Sequence, residues 1–178
     1  MFEYSPEERQ ILLQLAHDAI AAHLGGVVLD FAPPSEHLAE KRGAFTTLHL
    51  DGQLRGCIGY PMAVAPLYRT IGETAIAAGF EDPRFLPVVE DEVAELKVEI
   101  SVLSPLRPIE PEQIEIGKHG LFASHGNRRG LLLPQVPLEL GWDRETFLAQ
   151  TCMKAGLDPG SWKFGVRLEA FTAEVFGE

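Results

Sequence analysis

The stretch AFTTLHLDGQLRGCIG, residues 44–59, decides how the rest of the chain is read. Two β-prone runs flank Asp51-Gly52, a pair suited to a tight hairpin turn because both positions tolerate positive φ. A two-residue turn sets Thr46 opposite Cys57 and Leu48 opposite Arg55. Side chains alternate along a strand, so Arg55 and Cys57 are expected on one sheet face. Gly56 and Gly59 interrupt the return strand, and a glycine there marks the close approach of another segment or a ligand. A thiol, a guanidinium and open backbone amides would then share one small surface.

Upstream, Ser5-Pro6-Glu7-Glu8 reads as an N-cap, a first-turn proline and a capping-box glutamate. Ile11, Leu12, Leu15, Ala16, Ala19 and Ile20 follow at helical spacing until Gly25-Gly26 ends the helix. Residues 30–43 read as a loop or short helix. Downstream, Pro66 opens a helix carrying Leu67, Ile71, Ala75 and Ala78, and Asp82-Pro83-Arg84-Phe85 closes it with a turn whose charges pair locally. Glu90-Asp91-Glu92 reads as a solvated face or a helix start.

LKVEISVL, residues 96–103, alternates cleanly, which turns Leu96, Val98, Ile100 and Val102 inward and Glu99 to the polar side. GLFASH and GLLLP flank Gly126-Asn127-Arg128-Arg129 as a second hairpin. A helix from Asp143 carries Phe147, Leu148, Cys152 and Ala155 to a stop at Gly156, and VRLEAFTAEVF reads as a final strand. No repeat, low-complexity tract or linker divides residues 1–178, so one α+β domain is expected.

The net charge of −11 and pI near 5.0 lack the basic footprint of nucleic-acid binding. No apolar run reaches the roughly 20 residues of a membrane helix, and the N-terminus carries no secretory pattern. A cytoplasmic protein with two reduced thiols is expected.

The ordered motifs LRGCIG, DPRF, EISVLSP, GKHGL, LLLPQV and KAGL followed by Trp162 resemble the AMMECR-one family, whose bacterial and archaeal members are called AmmeMemoRadiSam system protein A. The resemblance implies an α+β fold of two unequal lobes around a mainly antiparallel sheet with flanking helices. The larger lobe would combine both chain ends, with LRGCIG near the cleft. It also implies the genomic company of a Memo-like protein and a radical S-adenosylmethionine protein. Pro137 and Tyr60 depart from the family pattern, where alanine and a small or hydroxyl residue are usual.

Two readings stand for each candidate. Cys57 is either a nucleophile beside the Arg55 cation or a small buried hydrophobe. Arg55 either binds a substrate carboxylate or phosphate, or pairs with Glu73, Glu99 or another acid. Gly56 and Gly59 admit a close neighbour, either ligand or protein. His119 is a general base or a turn residue, and Cys57, His119 and Glu99 have the composition of an activated-thiol triad. Trp162 lines a pocket or staples its loop to the core. Cys152 is expected in the core. His17 and His23 fall on different helix faces and no paired-cysteine motif exists, so neither a metal nor a cofactor is assigned to the chain.

Overall fold

The protein is described by a computed structural model covering residues 3–178. In chain order the first elements are α1 (Pro6–Leu24), β1 (Ala44–Leu50), β2 (Gln53–Tyr60), α2 (Leu67–Phe80), α3 (Glu90–Val93) and β3 (Lys97–Leu103). They are followed by β4 (Arg107–Pro108), β5 (Gly120–His125), β6 (Arg128–Leu132), α4 (Val136–Glu139), α5 (Arg144–Lys154), β7 (Arg167–Phe171) and β8 (Ala173–Gly177). The chain separates into two compact units: residues up to Leu103 together with Glu174–Glu178, and Ser104–Ala173. Among the described residues no helix is long and apolar enough to cross a membrane.

The first unit is a four-stranded sheet in the order β2-β1-β3-β8. α1 begins as the capping box requires: the Ser5 hydroxyl accepts the Glu8 N–H at 3.2 Å, and the Glu8 carboxylate accepts the Ser5 N–H at 3.0 Å. Its buried face is Leu12, Leu13, Ala16, Ala19 and Ile20, whereas Ile11, expected inside, is exposed. Asp51 and Gly52 take φ of 50° and 74°, the positive pair that a twisted two-residue hairpin needs. Helix α2 covers the sheet face of Ala44, Thr46 and Leu48, where the Thr46 and Thr74 hydroxyls meet at 2.8 Å in full burial. A buried polar pair of this kind is tolerated because each hydroxyl has a partner.

The second unit is an antiparallel sheet in the order β4-β7-β5-β6, with α5 packed on it through Phe147, Leu148 and Ala155. Asp143 caps α5 by accepting the Thr146 N–H at 2.8 Å. The β5–β6 turn is only Gly126-Asn127, so Arg128 and Arg129 lie in β6 rather than in a four-residue loop. The expected final strand is divided at Thr172: β7 belongs to the second sheet and β8 to the first. Thr172 exchanges hydrogen bonds with Ser104 instead, its N–H reaching the Ser104 hydroxyl at 2.9 Å and its carbonyl the Ser104 N–H at 2.9 Å. The architecture is α+β as expected, with a four-stranded sheet in each of the two units.

Candidate functional site

The register of the first hairpin differs from the expectation in one decisive place. Leu50↔Gln53 and His49↔Leu54 pair as a two-residue turn dictates, but Leu48 then pairs with Gly56 and Thr47 with Cys57. Arg55 is the extra residue of a β-bulge. The shift has a physical cause in α2: Gly56 lies so close to that helix that a Cβ would overlap the Ala78 carbonyl. The bulge separates the two side chains that strand alternation had put together. Arg55 reaches the segment after α2, and Cys57 lies on the face turned away from α2.

Arg55 uses four of its five N–H donors there. Its Nε and Nη2 donate to the two oxygens of Glu92, each at 2.9 Å, and its Nη1 and Nη2 donate to the carbonyls of Leu86 and Pro87 at 2.9 and 3.3 Å. The planar fork matches the carboxylate, and Arg55 holds Glu92 below the usual carboxylate range. Glu92, expected only as part of a solvated face or helix start, is its partner. Glu73 and Glu99 are not.

β2 is an edge strand, and its outer edge at Cys57 is closed by the DPRF turn. The Cys57 N–H donates to Asp82 Oδ2 at 3.0 Å, and Arg84 Nη2 donates to the Cys57 carbonyl at 3.5 Å. Asp82 is only 4% exposed and also accepts from the Arg84 N–H, Nε and Nη2 at 3.1, 3.0 and 2.7 Å. The Arg84 side chain, with the backbone N–H groups adding to it, holds the Asp82 carboxyl far below its ordinary range. A charged pair thus takes both backbone groups of Cys57 and fixes the strand at the thiol. The Arg84 side chain remains 55% exposed, so a cation stands in solvent beside this edge.

On the face of Cys57, the Thr47 hydroxyl donates to the sulfur at 3.2 Å. Thr47 also pairs with Glu99, so Cys57, Thr47 and Glu99 form one row across β2, β1 and β3. Glu99 is two strand spacings from Cys57, about 10 Å, and Thr47 stands between them. The neighbouring row is Gly59, Phe45 and Ser101, with the Phe45 ring lying over Gly59 where a Cβ would be. Cys57, Thr47, Phe45 and Glu99 are all half-buried.

The other expected site residues belong to the second unit. His119 Nδ1 accepts the Glu115 N–H at 3.0 Å in the turn before β5, and Trp162 packs against the apolar cluster under α5. No single unit holds Cys57, His119 and Glu99 together. Cys152 is fully buried, and burial pushes its thiol above the ordinary range. Thr47 and the edge-binding role of Asp82 and Arg84 escaped the sequence reading. DPRF was visible as a motif, but its tie to LRGCIG is a non-local hydrogen bond that spacing does not encode.

As a nucleophile, the Cys57 sulfur would release its proton to a solvent base and add to a substrate carbonyl carbon, whose π electron pair moves to the carbonyl oxygen, with the exposed side of Arg84 available to a substrate anion. Among the described residues the one group of histidine, cysteine and carboxylate side chains with metal-ligand spacing lies elsewhere, at Glu3, His37 and Glu40.

Comparison with known proteins gives consistent relatives. The model of the AMMECR1 family matches residues 13–176. Protein MK0488 of Methanopyrus kandleri is 45% identical over 97% of this chain and 89% of its own. A protein of Thermococcus gammatolerans is 44% identical over 100% of this chain and 94% of its own. The fold is similar to the crystal structure of an uncharacterized protein, PH0010, from Pyrococcus horikoshii, with a TM-score of 0.84, 42% identity, and coverage of 99% of this chain and 94% of that one.

Proposed function

The chain belongs to the AMMECR1 family, and from that premise we propose that it is a cytoplasmic enzyme component working with Memo-like and radical S-adenosylmethionine proteins. It binds a small or peptide substrate beside the LRGCIG strand. The observation that carries this reading is the treatment of Cys57: its backbone is fixed by Asp82 and Arg84, its sulfur is oriented by Thr47, and its side chain is only half-buried. Cys152 differs in exposure rather than in having a partner: its sulfur also receives a hydrogen bond, from the Trp162 backbone, but it is fully buried. Arg84, whose side chain is 55% exposed against 14% for Arg55, is the more accessible cation for a substrate carboxylate or phosphate. Gly59 admits the Phe45 ring beside Cys57, and substitutions of His119 and Trp162 in the second unit are tested in the same assay.

Reconstitution with the Memo-like and radical S-adenosylmethionine proteins tests the proposal. Cys57→Ser is expected to abolish the partner-dependent product while leaving the fold intact, and an undiminished yield would remove the thiol from the reaction.

A second reading, a non-catalytic adaptor, is favoured by the exposed apolar side chains of Tyr60 at the end of β2 and of Met62 and Val64 directly after it. On that reading Met62→Asp with Val64→Asp weakens binding of the Memo-like protein, and Cys57→Ser does not.

A further inference from the structure

The start of α1 carries a side-chain cluster that the Cys57 face does not use. Glu3, His37 and Glu40 each present one ligand-type atom, and the three atoms lie within 4.8 Å of one another. His37 is oriented from behind: its Nδ1 is 2.8 Å from the Glu8 carboxylate. A carboxylate only accepts, so Nδ1 carries the proton, and in the neutral ring the Nε2 lone pair is directed toward Glu3 Oε1 at 3.7 Å. A lone pair facing a carboxylate oxygen is satisfied either by a proton on Nε2 or by a metal ion between them. Donation from the far ring nitrogen to a carboxylate is also the arrangement that fixes a metal-binding histidine.

Arg42 supports the two outer ligands. Its Nη2 donates to Glu3 Oε1 at 2.7 Å and is 2.9 Å from Glu40 Oε2, which holds both carboxylates in place and leaves each a second oxygen. The cluster holds the carboxylates of Glu3, Glu8 and Glu40 and one guanidinium, which pairs with Glu3 and Glu40, so with His37 neutral it carries two negative charges in excess. A divalent ion balances that excess; a proton on Nε2 balances half of it.

Tyr4 adds an independent sign. Its ring stacks on His37 at 4.9 Å and 14°, the residue is 2% exposed, and its hydroxyl has no hydrogen-bond partner among the described residues. A buried phenol without a partner is costly unless something not supplied by the protein completes it.

We propose that Glu3, His37 and Glu40 form a binding site for a zinc-class divalent transition cation, with Glu8 orienting His37 and the Tyr4 hydroxyl partnering a metal-bound water. One imidazole nitrogen and two carboxylate oxygens suit such an ion and leave a position for that water. Binding ties the residues before α1 to the turn at His37–Ala39, so metal stabilises this corner of the first unit.

The test is titration of the tag-free full chain with Co²⁺, followed by displacement with Zn²⁺ in a calorimeter. One equivalent of Co²⁺ with visible d–d bands, and without a thiolate charge-transfer band, is expected. His37→Ala should abolish those bands, Glu40→Gln should weaken binding, and Glu8→Gln should weaken it by about 10- to 100-fold through loss of ring orientation. Circular dichroism checks each fold, and the exposed Glu40→Gln variant keeps the test valid should His37→Ala unfold. Affinity should also fall as the solution is acidified, because a proton competes with the metal for the Nε2 lone pair. Undiminished binding in both His37→Ala and Glu40→Gln, a thiolate band that puts cobalt on cysteine, or failure of the wild-type chain to bind micromolar Co²⁺ would overturn the proposal.

Discussion

In the first unit Gly56 on β2 lets the Ala78 carbonyl of α2 press against the strand; in the second, Gly130 on β6 does the same for the Lys154–Ala155 end of α5. Each sheet repeats a further device, an aromatic ring laid over a paired glycine: Phe45 over Gly59, and Phe171 over Gly120. The two units nevertheless differ in charge and in the use of cysteine. All of the net −11 lies in the first unit, where eighteen acids face seven bases, while the second unit balances eight against eight. The first keeps Cys57 half-exposed on a clamped edge strand; the second buries Cys152 within α5. Shared packing devices therefore account for the glycines of LRGCIG, and the features that the second unit lacks are the better guide to the working surface.

The largest effects should come from breaking the shared device. Gly56→Ala and Gly130→Ala each force a methyl group into helix backbone, which cannot swing aside as a side chain can. Each is expected to cost about 3 kcal/mol or more, measured by urea unfolding. A cost near zero at Gly56 would mean that the bulge is not set by α2.

Next comes the feature peculiar to the first unit. Asp82→Asn removes the charge that receives four donors and should cost about 1–3 kcal/mol at neutral pH. The sign with pH follows from the depressed folded-state value: the contribution is complete above the unfolded value near 3.9 and is lost as the pH falls toward the much lower folded value. Wild-type stability should therefore decline below about pH 4 more steeply than that of Asp82→Asn, and parallel acid limbs would contradict the assignment. Arg55→Lys, which surrenders the bidentate fit to Glu92 and one or more carbonyl contacts, should cost about 1–2 kcal/mol and leave any partner-dependent product intact.

The smallest effects separate the cysteines. Cys152→Ser places a hydroxyl in an apolar core and should cost about 1–2 kcal/mol. Cys57→Ser should change stability by less than about 0.5 kcal/mol. Equal costs would make Cys57 a packing residue like its counterpart.

Much of the fold is legible in the sequence, because it is local. The Ser5 capping box, the Asp51-Gly52 turn, the alternation of β3 and the Asp143 cap are each written within a few residues. The errors that bear on the site arise where distant segments decide. The bulge at Arg55 answers to Ala78 on α2, and Arg55 finds Glu92 across 37 positions. Thr172 divides an apparently continuous strand because Ser104, 68 positions away, takes its hydrogen bonds. The candidate site follows the same rule: Cys57 could be singled out from its neighbours in sequence, whereas Thr47, Asp82 and Arg84 gained their roles only through strand register and a turn that folds back on the edge.

The most direct test of the contrast between the two thiols is site-resolved alkylation by iodoacetamide, read by mass spectrometry in folded and denatured wild-type protein as a function of pH. The account predicts that Cys57 in the folded protein reacts readily at neutral pH while Cys152 is protected until unfolding. Protection of Cys57 to the same degree as Cys152 would contradict it and leave the LRGCIG strand as a packing element alone.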